Sequence, residues 1–202
     1  MPTAPLSAPT TDTPVADRIV AAAGVLIASQ GLRATSVDDI ASAAGCGRAT
    51  VYRYFPGGRS ELLDVTLGHG LDRIFASCTR VTDGATSLAE AVAGTINIAV
   101  FELSQDAVVQ RLLVDEPDAI ATLISPVRIE PVFELASQWG IEHFSRFVEP
   151  GIAAHVGEWC ARVVTDHLRS PAPIIDITDP AIARALVDTF LLPTLALEPS
   201  KA

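Results

Sequence analysis

Apolar side chains recur at helical spacing along almost the whole of this 202-residue chain, and no other feature constrains the fold as strongly. The segment 36–44 is an example, with apolar residues at positions i, i+3, i+4 and i+7: Val37, Ile40, Ala41 and Ala44. Strand-like alternation is confined to short pieces, and no fixed-period repeat is visible. The pattern predicts an all-α protein with a short N-terminal three-helix domain and a larger helical domain after it.

Two short helices are predicted on either side of a glycine-containing turn, Gly45-Cys46-Gly47. The first helix begins at Ser36, whose hydroxyl can cap the amide of Asp39. The second occupies residues 48–55 and turns Val51 and Phe55 inward. Two short helices joined by a three-residue turn are typical of a helix-turn-helix motif.

The formal charge of −10 is divided unevenly along the chain. Residues 1–60 hold five arginines and four acidic residues, a sum of +1, whereas residues 61–202 hold nine basic and twenty acidic residues, a sum of −11. Only the N-terminal part is therefore compatible with a phosphate backbone.

Several other classes of protein are disfavoured by the sequence. The apolar stretches fall short of the roughly 18 residues of a membrane span, and residues 1–13 form a Pro- and Thr-rich arm, expected to be disordered, without signal-peptide features. The three cysteines and four histidines show no disulfide or zinc spacing, and no nucleophile elbow is present. We expect a cytoplasmic protein without a metal or cofactor, and not an enzyme.

Three stretches in the motif are similar to the DNA-binding domain of the TetR family: TSVDDIA at 35–41, AG at 44–45 and ATVYRYFP at 49–56. The resemblance covers residues 14–62. It implies a homodimer on a palindromic operator, with the second helix of each motif in a major groove. It also implies four segments: an arm (1–13), a helix-turn-helix domain (14–58), a linking helix (59–80) and an effector-binding and dimerisation domain (81–197).

Arg48 and Ala49 stand at the N-terminal end of the predicted recognition helix, where side chains meet base edges. Arg48 is expected to donate two hydrogen bonds to guanine, and Ala49 to allow close approach or contact a thymine methyl. Arg53 either reads a base or stays solvated. By resemblance, phosphate contacts are expected from five further residues: Ser36, Thr50, Tyr52, Tyr54 and Arg59.

Two further sets of residues are candidates in the acidic remainder. A small apolar effector is expected to meet a mixture of apolar walls and a few polar groups: Asn97, Phe101, Arg111, Trp139 and His143. The apolar faces of residues 153–169 and 180–192 predict a four-helix interface between subunits: Val156, Trp159, Cys160, Val163, His167, Ile182, Leu186 and Phe190.

Two functions from different classes follow from these features. The first is a sequence-specific transcriptional regulator, a repressor released by a small-molecule effector. The second is a helical binding or scaffold protein whose N-terminal hairpin no longer contacts DNA. A steep salt dependence of binding to duplex DNA separates them, because phosphate contacts release counterions.

Overall fold

The computed structural model describes residues 14–170 and 175–195, and none of these residues lies in a β-strand. The helices of the first half are α1 (Val15–Gln30), α2 (Val37–Ala43), α3 (Arg48–Tyr54), α4 (Arg59–Gly84), α5 (Leu88–Gln105) and α6 (Ala107–Asp115). Those of the second half are α7 (Pro117–Leu123), α8 (Pro126–Phe144), α9 (Pro150–Arg169), α10 (Pro180–Leu186) and α11 (Leu192–Leu195). The all-α prediction is confirmed. The expected disordered arm 1–13 and residues 196–197 of the predicted second domain lie outside the described residues.

The described residues form two compact units, and one helical segment belongs to a different unit from the one that the sequence indicated. The first unit contains residues 14–72 and 106–120, and the second contains the described residues of 73–105 and 121–195. The sequence placed 106–120 in the second domain. In the structure α6 packs against α1, and its apolar side chains Val108, Val109 and Leu112 are buried.

The core of the first unit is formed where α1, α2, α3 and the start of α4 meet. Its fully buried side chains include Ile19 of α1, Ile40 of α2, Val51 of α3 and Leu62 of α4. These residues are the inward positions of their helices, and α2 and α3, with seven residues each, are too short to be stable without the others. The helix-turn-helix is thus held by its packing on α1 and α4.

The second unit is held together by a close crossing of α8 and α9. Gly140 and Gly157 meet at this crossing, and a Cβ at Gly157 would overlap the carbonyl oxygen of Ala136. Trp139 and Phe144 of α8 are buried beside the crossing and meet edge to face, with ring centroids 5.2 Å apart. The two helices can approach this closely because glycine presents no side chain.

The last described helix is longer than the sequence predicts. The pair Asp179-Pro180 predicts an N-cap followed by the first helical position. In the structure Asp179 caps α10 by accepting a hydrogen bond from the Ala181 amide at 2.8 Å, and Pro180 takes the first helical position. The sequence also predicts that Pro193 ends this helix, because proline does not continue a helix, and this prediction is wrong. The helix widens into a π-helical turn at Val187–Leu191 and continues as α11, so Pro193, which has no amide hydrogen to donate, is accommodated inside it.

Candidate nucleic-acid interface

The N-terminus of α2 is fixed by a capping box. The Ser36 hydroxyl oxygen accepts a hydrogen bond from the Asp39 amide at 3.1 Å, and the Asp39 carboxylate accepts one from the Ser36 amide at 3.1 Å. The Ser36 hydroxyl also donates to the same carboxylate at 2.5 Å. These bonds, led by that of the Ser36 side chain, hold the pKa of Asp39 below its ordinary value. The predicted cap is confirmed. In this conformation the hydroxyl proton of Ser36 is directed at Asp39.

The turn between α2 and α3 is made by a glycine in the left-handed region. Gly45 has φ +65°, which an L side chain rarely adopts, and the Cys46 amide donates to the Ala41 carbonyl at 2.9 Å. Gly47 then serves as the N-cap of α3 without a side-chain hydrogen bond. The turn directs the chain into α3 within a few residues of the end of α2.

One side of α3 is buried and the other is exposed. Val51 and Phe55 lie in the core, as the sequence predicts. The opposite side presents the residues that we expected at DNA: Arg48, Ala49, Tyr52, Arg53 and Tyr54 are exposed, and Thr50 is half-buried. Two of these are aromatic rings that no core requires, with Tyr52 40% and Tyr54 44% exposed. The exposed side of α3 therefore combines basic, aromatic and hydroxyl groups.

Arg48 is held between an acid and an aromatic ring. Its Nη1 donates to Oδ2 of Asp38, the second residue of α2, at 2.6 Å, and its guanidinium carbon lies 5.5 Å from the centre of the Tyr52 ring. The Asp38 charge is the largest cause that raises the pKa of Arg48, so the guanidinium stays charged. Arg53 is similarly placed 5.1 Å from the Tyr54 ring.

Tyr52 also contacts the loop that follows α3. A Cβ at Gly58, which has φ +60°, would lie 3.2 Å from a ring carbon of Tyr52. The ring therefore packs against the Gly57-Gly58 turn and still leaves a substantial part of its surface exposed. The phosphate contact expected from its hydroxyl stays a prediction.

Arg59, which we expected to contact a phosphate, hydrogen-bonds to backbone carbonyls within the first unit. Its Nη1 donates to the carbonyl oxygens of Leu32, Arg33 and Thr35 at 3.0, 3.2 and 3.3 Å. These carbonyls belong to the loop between α1 and α2 that leads into the cap at Ser36. In this conformation that end of the guanidinium stabilises the loop, which limits its availability for DNA.

The same loop is held from another side by Glu116, a residue that the sequence reasoning missed. Glu116 is 4% exposed, and its Oε1 accepts a hydrogen bond from the Arg33 amide at 2.8 Å. Its Oε2 lies 3.7 Å from Nε of Arg33. No local sequence signal predicts this contact, because the two residues are 83 positions apart.

The five residues expected to line an effector pocket do not form one common site. The Asn97 amide donates to the carbonyls of Ile177 and Thr178 at 3.1 and 2.8 Å, and Phe101 is 53% exposed. Arg111 pairs with Asp115 at 2.5 Å in the first unit. Asn97 and Arg111 therefore make structural contacts, and Phe101 is exposed. These three residues do not line a shared cavity.

Trp139 and His143 do lie together, in the second unit. Their rings are 4.6 Å apart, and both contact the Thr79 hydroxyl, with Trp139 Nε1 at 3.0 Å and His143 Nε2 at 3.3 Å. A separate open groove of about 550 Å³ borders α8 and α9, and none of the five expected residues lines it. Its lining is acidic, with Glu130, Glu134 and Glu158.

The residues expected at a subunit interface divide into two groups. Val156 and Cys160 are 1% and 4% exposed and belong to the core of their own unit, so they offer almost no surface to a partner. The other six, which are at least partly accessible, are Trp159, Val163, His167, Ile182, Leu186 and Phe190. Phe190 is 60% exposed.

The described residues offer neither a cluster of metal ligands nor a single helix that could span a membrane. No group of three or more His, Cys, Asp or Glu side chains could hold a metal ion within the described ranges. In the same ranges no single helix is long and apolar enough to cross a membrane, and only the bent pair α5–α6 reaches that length and composition when taken together.

The helix-turn-helix region matches a known family. Residues 19–65 match the family model described as bacterial regulatory proteins, tetR family. An uncharacterised HTH-type transcriptional regulator of Mycobacterium tuberculosis is 32% identical over 68 residues, which are 34% of this chain and 35% of that protein. The HTH-type transcriptional repressor KstR2 of Mycolicibacterium smegmatis is 33% identical over 78 residues, 39% of this chain and 38% of that protein. The matched regions span little more than a third of these relatives.

The fold extends the similarity beyond the matched region. The chain is similar to the structure of the TetR family repressor AlkX from Dietzia sp., with a TM-score of 0.68 and 20% sequence identity. The superposed region covers 89% of this chain and 94% of the AlkX chain. At this identity the likeness concerns the fold alone: an N-terminal helix-turn-helix followed by further helices. Residues 19–65 therefore match the tetR family of bacterial regulatory proteins, and the fold of the described residues is similar to that of a TetR family repressor.

Proposed function

We propose that the protein is a sequence-specific DNA-binding transcriptional regulator that reads its operator with the exposed side of α3. The observation that carries this proposal is the set of basic, aromatic and hydroxyl groups on that side of an α-helix, an element that the major groove is wide enough to admit. The distribution of charge supports the same assignment, because residues 1–60, which contain the helix-turn-helix, sum to +1 and residues 61–202 sum to −11.

We propose a homodimer as the active form, with one helix-turn-helix on each half of a palindromic operator. A two-fold dimer matches a palindrome, and half-sites about 34 to 36 Å apart place both recognition helices on one side of the duplex. The accessible apolar residues of α9 and of the helix that follows Pro180 are the surface that we assign to the interface.

We propose repression as the mode of regulation, with release by a small apolar effector. The relatives named above include two described as repressors. Trp139 and His143, which share the Thr79 hydroxyl, are the part of the expected pocket that lies together and are our candidates for contact with such an effector. A screen of apolar ligands by thermal shift, followed by DNA release, tests this step; ligands that stabilise the protein without releasing DNA would contradict it.

Base reading by Arg48 is tested by titration on two duplexes. One is the duplex that the wild-type protein selects from a randomised pool, and the other is its scrambled sequence. Arg48→Ala is expected to lower affinity for the selected duplex by about 1 to 3 kcal/mol and to change affinity for the scrambled one far less. Equal losses on both would contradict base reading. Failure of the wild type to enrich any duplex from the randomised pool would instead favour the helical scaffold.

A further inference from the structure

A carboxylate lies against the arginine that begins α3. Asp38 is in the first turn of α2, and its Oδ2 accepts from Nη1 of Arg48 at 2.6 Å. Both side chains are exposed, with relative side-chain accessibilities of 62% for Asp38 and 58% for Arg48. The pair therefore belongs to the surface that we assign to DNA.

Folding alone gives little reason for Asp38 to form this pair. An ion pair between two solvent-exposed side chains contributes little to stability. The N-terminus of α2 does not require Asp38 as a cap either, because Ser36 and Asp39 already form the capping box. The structural value of the pair is thus small, and its effect on the exposed side of α3 is the larger consequence.

On a DNA-binding surface, the same carboxylate carries a cost. The segment 48–54 has two positive charges, Arg48 and Arg53, and no acid. Asp38 offsets one of these two charges and repels phosphates nearby, so it weakens binding that depends on charge alone. If attraction by charge were all that mattered, this surface would bind DNA more tightly without Asp38.

The geometry also gives Asp38 an orienting effect. A guanidinium has five N–H donors, so a carboxylate oxygen at Nη1 leaves further donors for a base. The Tyr52 ring restricts the guanidinium on another side, at 5.5 Å. A side chain that is already ordered loses less conformational entropy when it binds its target.

We propose that Asp38 is a positioning residue for sequence specificity: it orients Arg48 toward a base edge and weakens binding to DNA of the wrong sequence. The inference rests on the proposed function and adds a residue to it. Its signature is a trade-off, in which removing the acid strengthens binding to unrelated DNA and reduces discrimination. A purely structural role for Asp38 does not predict that combination.

The test uses the full chain, the selected duplex and its scrambled sequence. Asp38→Ala is expected to bind the scrambled duplex several-fold more tightly and to lower the ratio of selected to scrambled affinity by about tenfold. The slope of log affinity against log salt on the scrambled duplex should steepen by about one, because the released Arg48 can take a phosphate. Asp38→Asn, which keeps the size of the side chain, should change the ratio in the same direction.

One control variant separates the positioning role of Asp38 from a general effect of removing an acid. A double variant separates it from direct reading of a base by Asp38. Asp17→Ala removes an exposed acid from the first turn of α1 and should leave the ratio unchanged. In an Arg48→Ala background, Asp38→Ala should cause no further loss of the ratio. Failure of the wild type to enrich any duplex from the randomised pool would overturn the proposed function, and this inference with it. An unchanged ratio in Asp38→Ala, or an equal loss in the Arg48→Ala background, would overturn this inference alone.

Discussion

At the scale of single residues, the loop between α1 and α2 is held by side chains that are distant from it in sequence. Arg59 binds three of its carbonyls, and Glu116 binds the amide of Arg33. Gly31 enters the loop with φ +86°, and a Cβ there would lie 3.0 Å from Oε1 of Glu116. The loop leads directly to Ser36, so these contacts set where α2 begins.

Loss of Glu116 is expected to destabilise the helix-turn-helix unit. Glu116→Ala leaves the Arg33 amide without its acceptor and should lower the free energy of unfolding by about 1 to 3 kcal/mol. Glu116→Gln keeps an acceptor oxygen and should cost less. Urea unfolding followed by circular dichroism measures both.

Asp118→Ala is the matched control for Glu116→Ala. Asp118 pairs with the same arginine, at 3.4 Å, but its side chain is 90% exposed, so its removal should change stability by less than about 0.5 kcal/mol. If the two alanine variants lose stability equally, burial of Glu116 has no special importance.

The capping box at Ser36 gives a pH dependence with a defined sign. The pKa of Asp39 is lowered in the folded protein, so its stabilising effect is complete above the unfolded value near 4 and is lost as the pH falls through the folded value. Asp39→Asn should therefore destabilise the protein at pH 7 and make progressively less difference as the pH falls toward about 2. Urea midpoints of both proteins at pH 7 and pH 3 check this; the same difference at both values would contradict it.

At the scale of helices, the crossing of α8 and α9 shows how two glycines determine a packing distance. Gly140 and Gly157 face each other where the helices meet, and each is close to the backbone of the other helix. Backbone atoms cannot move aside as the end of a flexible side chain can. The crossing therefore tolerates no added methyl group without separation of the helices.

Gly157→Ala is expected to destabilise the second unit. Its Cβ would overlap the Ala136 carbonyl oxygen, so the helices must separate at a cost of about 1 to 3 kcal/mol. Gly151→Ala in the first turn of the same helix is the control, since nothing lies within 4 Å of its Cβ and alanine favours helix. Thermal unfolding should place the two variants on opposite sides of the wild type. A Gly157→Ala protein as stable as the control would show that the crossing can relax.

Sequence reasoning succeeded where the cause is local. The cap at Ser36, the burial of Val51 and the start of α10 at Pro180 each depend on spacings of three or four residues along one helix. It did not find the Glu116 contact with Arg33, which joins distant segments. It also put Val156 on a subunit interface, because periodicity identifies an apolar face without saying whether the chain's own core or a partner covers it.

At the scale of the whole molecule, charge is divided unevenly along the chain, and we propose that DNA binding and assembly are divided in the same way. The first 60 residues carry a sum of +1 and the rest a sum of −11. A single helix-turn-helix with so few basic groups makes few phosphate contacts and is expected to bind weakly by itself. When one helix-turn-helix of a dimer is bound to the operator, the effective concentration of the second is raised, so affinity should depend on the dimer.

The final prediction concerns the subunit interface, and Phe190 is the residue that tests it best. Phe190 is 60% exposed in the single chain, so a substitution there should leave the monomer folded, whereas Leu186 partly packs on its own core. A dimer that covers Phe190 would bury a carboxylate from each Phe190→Asp subunit without a partner, at a cost of several kcal/mol. Phe101→Asp changes another exposed aromatic, 53% accessible, in the same unit and should remain dimeric. Sedimentation gives the oligomeric state of both variants, and DNA titration gives their affinity for the operator. A dimeric Phe190→Asp protein would place the interface elsewhere. A folded Phe190→Asp monomer with full operator affinity would contradict the need for two helix-turn-helix motifs.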